Sequence, residues 1–198
     1  MPDALRSSCV AAAISLAGIS SVAGAAAQMV PMTFEEVVAE AETIILARTV
    51  DRRSRWEETR DGKFIVTQVV LAVEKVYKGP SMTQTTMEYL GGTIGDMAFG
   101  VEGMPTFNRG DRDVLFISSE VKPVNPIVGG TAGRFRVARD PRTGADAVRT
   151  AEGLAFTNVS QLGQFAQPEQ APGATAVPPM SLQEFEGQLA KTLAHGRR

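Results

Sequence analysis

The sequence predicts a mainly β protein: a small closed barrel with a short helix before it and an amphipathic helix after it. Three observations carry this. Residues 64–78, FIVTQVVLAVEKVYK, alternate faces without a break and are rich in Val, Ile, Phe, Tyr and Thr, types that pack well on a pleated surface. At about 14 residues this strand far exceeds the ~5–6 of an ordinary one, and so long a strand coils or bulges, as the corners of a barrel require. Helical spacing behind a capping box marks two other places, one ahead of the strands and one at the C-terminal end.

In chain order, Thr33-Phe34-Glu35-Glu36 is the first capping box, and Phe34, Val37, Val38 and Ala41 follow at helical spacing, predicting a helix over 33–41. TIILARTV, 43–50, is the first strand, and DRRSRWEETRDGK, 51–63, is a polar connection with Asp61-Gly62 as its turn. The long strand then runs to Gly79-Pro80. SMTQTTMEYL, 81–90, alternates and pairs back on it, ending at Gly91-Gly92. Residues 93–108 carry Met97, Phe99, Val101, Met104 and Phe107 without a period, which predicts a long loop packed down as a lid on the barrel core. DVLFISSE, 113–120, and Arg134–Ala138 are strands, and ADAVRT, 145–150, closes a hairpin across the Asp140–Gly144 turn. QPEQAPGATAVPPM, 167–180, is a Pro/Ala linker. Ser181-Leu182-Gln183-Glu184 opens the second helix, whose stripe is Leu182, Phe185, Leu189, Thr192 and Leu193.

Residues 1–27 have the form of an export signal: Arg6, an apolar run from Cys9 to Val22, and Ala25-Ala26-Ala27 before a cut at Gln28. The run is shorter than the ~20 apolar residues a membrane span needs. The expected organisation is thus a signal peptide over 1–27, a barrel domain over 28–166, the linker 167–180, and a helix with its tail over 181–198, in the periplasm or secreted. Cys9 is the one cysteine and leaves with the signal, so the processed chain has neither disulfide nor thiolate. The net charge of −2 lacks the basic excess of a nucleic-acid binder.

The residue inventory argues against most site chemistry. The one histidine, His195, lies in the tail, which disfavours a Ser-His-Asp arrangement and a zinc site alike. Asp111 and Asp113 with a carbonyl would suit a hard cation, against the simpler reading of a charged turn before a strand. No spacing singles out a catalytic carboxylate pair. Arg109-Gly110-Asp111 spells an adhesive tripeptide but also fits an ordinary turn. Arg52, Arg53, Arg55 and Trp56 form a basic-aromatic cluster able to stack a sugar or a base, or else a solvated hairpin end beside Glu57 and Glu58. The Leu182/Phe185/Leu189 stripe needs cover, from its own barrel or from another protein.

AETIILARTV (41–50), VLAVEKVYKGP (70–80), Gly91-Gly92, Phe107-Asn108-Arg109-Gly110-Asp111, DRDVLFIS (111–118) and GRFRVA (133–138) together resemble the netrin-like domain of tissue inhibitors of metalloproteinases, and more closely a group of secreted bacterial proteins of that pattern. The resemblance covers roughly residues 33–150. It implies an OB-like, five-stranded Greek-key barrel. The family's inhibitors chelate the protease zinc through an N-terminal cysteine, whereas the expected terminus here is Gln28, so that mechanism is not carried over to any residue. The sequence-level expectation is an exported, non-enzymatic binding module without cofactor or metal, acting on another exported protein such as a protease. The alternatives are a carbohydrate or oligonucleotide binder using the loop after strand one and, with the least support, a carboxylate hydrolase.

Overall fold

A computed structural model describes residues 32–60, 62–100, 104–118, 125–162 and 178–196. The expected signal peptide, Val101, Ser119-Glu120 and most of the expected linker lie outside them.

The chain folds into antiparallel β-sheet with two helices. Helix α1, Phe34–Glu40, starts as its capping box predicts: the Glu36 N–H donates to Thr33 Oγ1 at 3.3 Å, and the Thr33 N–H donates to Glu36 Oε2 at 2.7 Å. Eight strands follow: β1 Thr43–Thr59, β2 Gly62–Lys78, β3 Gln84–Leu90, β4 Gly92–Ile94, β5 Met97–Phe99, β6 Arg112–Ile117, β7 Arg134–Arg139 and β8 Asp146–Arg149. Helix α2, Leu182–His195, closes the described chain. The main sheet has six strands in the order β3-β2-β1-β6-β7-β8, and β4-β5 is a separate hairpin.

The long strand is one element, as its alternation predicts, and it reaches 17 residues. Its pairing with β1 shifts register at three points, between Ile44 and Ile45, Leu46 and Ala47, and Thr49 and Asp51. Such irregularities bend the ribbon and increase its twist.

β1 departs from expectation. The polar segment 51–59 is strand, paired with β2 down to Thr59 opposite Gly62. The physical reason lies in its neighbours. From Thr43 to Arg48 the strand sits between β2 and β6, and its middle, Ile44 to Ala47, is apolar and buried on both faces. Beyond Arg48 β6 ends, β1 becomes an edge, and charged side chains suit an edge that must stay in water.

The core has two layers, one on each face of the sheet. On one face Ile44, Leu46, Val114, Phe116, Phe135, Val137 and Val148 pack under Phe34, Val37 and Val38 of α1 and Phe185 and Leu189 of α2. On the other, Ile45, Ala47, Val69, Leu71, Met87, Tyr89 and Leu115 enclose Phe107 and Ile127. Two buried faces explain why IILA and VLFI read as continuous apolar runs.

The expected lid is only partly one. Phe107 is fully buried, but 92–99 forms the β4-β5 hairpin, with Met97 and Phe99 exposed. The chain turns from β3 onto the hairpin at Gly91-Gly92. Gly92 has φ +139°, and a Cβ there would lie 2.2 Å from Thr67 Oγ1 and 2.5 Å from Ser54 Oγ. Strained backbone and overpacking add, so Gly92→Ala is expected to cost about 3 kcal/mol or more, read as a lowered urea midpoint.

Candidate functional site

A cleft of about 260 Å³ opens between the β1-β2 ribbon, the β4-β5 hairpin and residues 104–106. Arg52, Ser54, Thr67, Tyr89, Phe99 and Thr106 are among its walls. Its polar floor is built by short contacts. Ser54 Oγ and Thr67 Oγ1 are 2.9 Å apart, and Thr67 donates to the Gly91 carbonyl at 2.6 Å.

Residues directly opposite across an antiparallel pair project to the same face. Arg52, Ser54 and Trp56 lie opposite Val69, Thr67 and Ile65, on the cleft side. Arg53 and Arg55 lie opposite Gln68 and Val66, on the other side. The basic-aromatic cluster is therefore divided between two faces of a strand, not gathered on a loop after strand one. Its cations are also engaged. Arg55 binds both Glu88 oxygens, at 2.8 and 3.1 Å, and Glu57 at 2.9 Å, while Arg53 pairs with Asp51 at 2.9 Å. The Arg55 bond holds the Glu88 carboxyl below its ordinary range. Arg52 donates to the Phe107 carbonyl at 2.9 Å, and Lys63 sits 5.0 Å over the Trp56 ring.

Four large apolar side chains are left exposed among the described residues: Trp56 (37 %), Met97 (56 %), Phe99 (37 %) and Leu154 (50 %). Three of the four belong to the ribbon or the hairpin. The Phe99 ring lies 6.4 Å from the Phe64 ring of β2, so the hairpin is seated against the ribbon and the two share this end of the molecule.

The wall at 104–108 is held by a group that sequence reasoning missed. Arg134 is 2 % exposed. Its guanidinium binds Asp113 at 3.0 and 3.2 Å, Asp111 at 3.2 Å and the Thr106 carbonyl at 2.8 Å, and it lies 4.0 Å over the Phe107 ring. Asp111 also accepts from Arg136 and from the Asn108 N–H. Burial pushes the Asp113 carboxyl up from its ordinary value, and the Arg134 charge opposes that. The two aspartates thus serve an internal ion-pair network that fastens the cleft wall to the sheet. No group of three metal-ligating side chains occurs among the described residues. With both oxygens of its Asp111 engaged, the Arg109-Gly110-Asp111 turn presents no free carboxylate for adhesion.

The helix stripe is covered from within. Phe185 and Leu189 are fully buried and Leu182 packs against the same core. The Phe185 ring stands 4.9 Å from Phe135, 5.6 Å from Phe34 and 6.1 Å from Phe156. Glu186 accepts from Tyr77 at 2.6 Å and from Lys75 at 3.0 Å, and burial raises the Tyr77 hydroxyl above its ordinary value. Phe185 and Leu189 are therefore covered by their own fold, Leu182 is half-buried beside them, and α2 belongs to the same core as the sheet. His195 ends α2, its Nδ1 2.7 Å from the Lys191 carbonyl. No described helix is long and apolar enough to cross a membrane.

No family model matches this chain, and no curated protein matches it either.

Proposed function

We propose that this protein is an exported, non-enzymatic binding module that acts on another exported protein through the end formed by the β1-β2 ribbon and the β4-β5 hairpin. The observation that carries this reading is the exposure of Trp56, Met97 and Phe99 there. Exposed apolar and aromatic side chains on neighbouring elements are common anchors of a protein interface. The reading is compatible with an OB-like Greek key of the netrin type, left open between β3 and β8 among the described residues rather than closed into a barrel. In its support, β6 returns beside β1 after the β1-β2-β3 meander, and β1 and β2 are long and bulged. Export rests on the Arg6, apolar-run and Ala25–Ala27 pattern.

The test is affinity capture from the envelope and culture fluid of the source cells. Wild type is expected to retain one protein that the Trp56→Ala/Met97→Ser/Phe99→Ser variant loses and Lys191→Ala keeps. A catch equal for all three proteins would refute the proposed surface. A second reading is favoured by the cleft itself: a small polyhydroxylated ligand bound between Arg52 and the Ser54, Thr67 and Thr106 hydroxyls. Trp56, next along that face after Ser54, would report it as a fluorescence change on titration with short glycans. No change across the panel would remove this reading.

A further inference from the structure

The sheet treats its edges unequally. The outer side of β8 is occupied: the Val148 N–H donates to the Met180 carbonyl at 2.8 Å, and Ala147 and Arg149 bridge to Ser181 and Ala155. The outer half of β1 carries Arg52, Arg53, Arg55, Glu57 and Glu58, the charges that discourage edge-to-edge pairing. β3 has neither protection. It pairs with β2 alone among the described residues, in one unbroken register from Val66 opposite Leu90 to Ala72 opposite Gln84. It holds no Pro, no Lys and no bulge. Its one charge, Glu88, is bound by Arg55 and Gln68 of its own sheet.

The phase of the backbone bonds says which groups point outward. The Gly91 N–H donates to the Ile65 carbonyl at 2.7 Å and the Val73 N–H to the Thr83 carbonyl at 2.9 Å. Odd-numbered residues of β3 therefore bond β2, and Gln84, Thr86, Glu88 and Leu90 direct their N–H and C=O groups away from the sheet.

We propose that this edge pairs with the same edge of a second copy, β3 to β3 about a two-fold axis, to make one continuous sheet. The register follows from charge and bond count. With Met87 on the axis, Thr86 faces Glu88 and Gln84 faces Leu90 of the other copy, which allows about eight N–H···O bonds. Centring on Glu88 sets two carboxylates opposite each other, which is unfavourable. Centring on Thr86 keeps about six of the bonds. A closed two-fold pairing also uses up both edges and does not propagate.

The experiment measures mass by light scattering and amide exchange on the purified protein across a wide concentration range. Wild type is expected to double in mass with concentration, and the Thr86 and Glu88 amides to gain protection in step. Thr86→Pro removes one outward donor from a position where an edge strand tolerates proline. It is expected to remain a monomer with unchanged thermal stability. Should Thr86→Pro fail to fold, the exchange of the two wild-type amides decides alone. A monomer at every concentration, or a dimer in which both amides still exchange freely, overturns the proposal.

Discussion

Asp113→Ala is expected to remove about 3–5 kcal/mol of stability, the range for breaking one partner out of a buried ion pair. The cost comes from what remains. Arg134, 2 % exposed, keeps its full charge and loses the two bonds that offset its desolvation. Asp111 takes up only part of that charge, since it is shared with Arg136 and Asn108. Adding Arg134→Met to the same chain takes the stranded charge away, and the double variant is expected to recover part of the loss, as apolar replacement of buried pairs commonly does. Urea unfolding followed by Trp56 fluorescence reads both. If the double variant is less stable than Asp113→Ala alone, the guanidinium contributes chiefly through its grip on the Thr106 carbonyl and the Phe107 ring.

Phe185→Ala is expected to cost about 3–5 kcal/mol, the range for emptying a buried phenyl site. The ring contacts Phe34, Phe135 and Phe156 at once, so neither the helices nor the sheet can collapse into the cavity independently. Removal of 181–198 is expected to go further and leave the domain unable to unfold cooperatively, because it takes Phe185 and Leu189 out of the layer that covers β6, β7 and β8 together with α1. A truncated protein with a sharp, unshifted melt would mean that α2 is a detachable arm.

Both helices were legible because each begins with a capping box and carries an apolar stripe, signals contained within four to eight residues. β2 was legible for the same reason: its alternation is local and long. The second half of β1 was not. RRSRWEET has no apolar alternation, since beyond the reach of β6 its side chains lie on an edge where polar groups are suited, and only its partner β2 makes it strand. β4 and β5 are three residues each, too short for any period. The cover of the Phe185 stripe and the burial of Arg134 were equally hidden. Arg134 in GRFRV reads as one more solvated position, and only Asp111 and Asp113, some twenty residues earlier, make its burial tolerable. The division of Arg52 and Trp56 from Arg53 and Arg55 follows from the strand period of two, which a loop assignment conceals.

The most direct test of the binding surface is a photoreactive side chain placed at Met97 and, as control, at exposed Lys191 on α2, activated in intact source cells. The proposed function predicts one discrete adduct with another exported protein from position 97 and none from 191. Adducts of equal yield from both positions, or none from 97 while the protein is folded and exported, would contradict it.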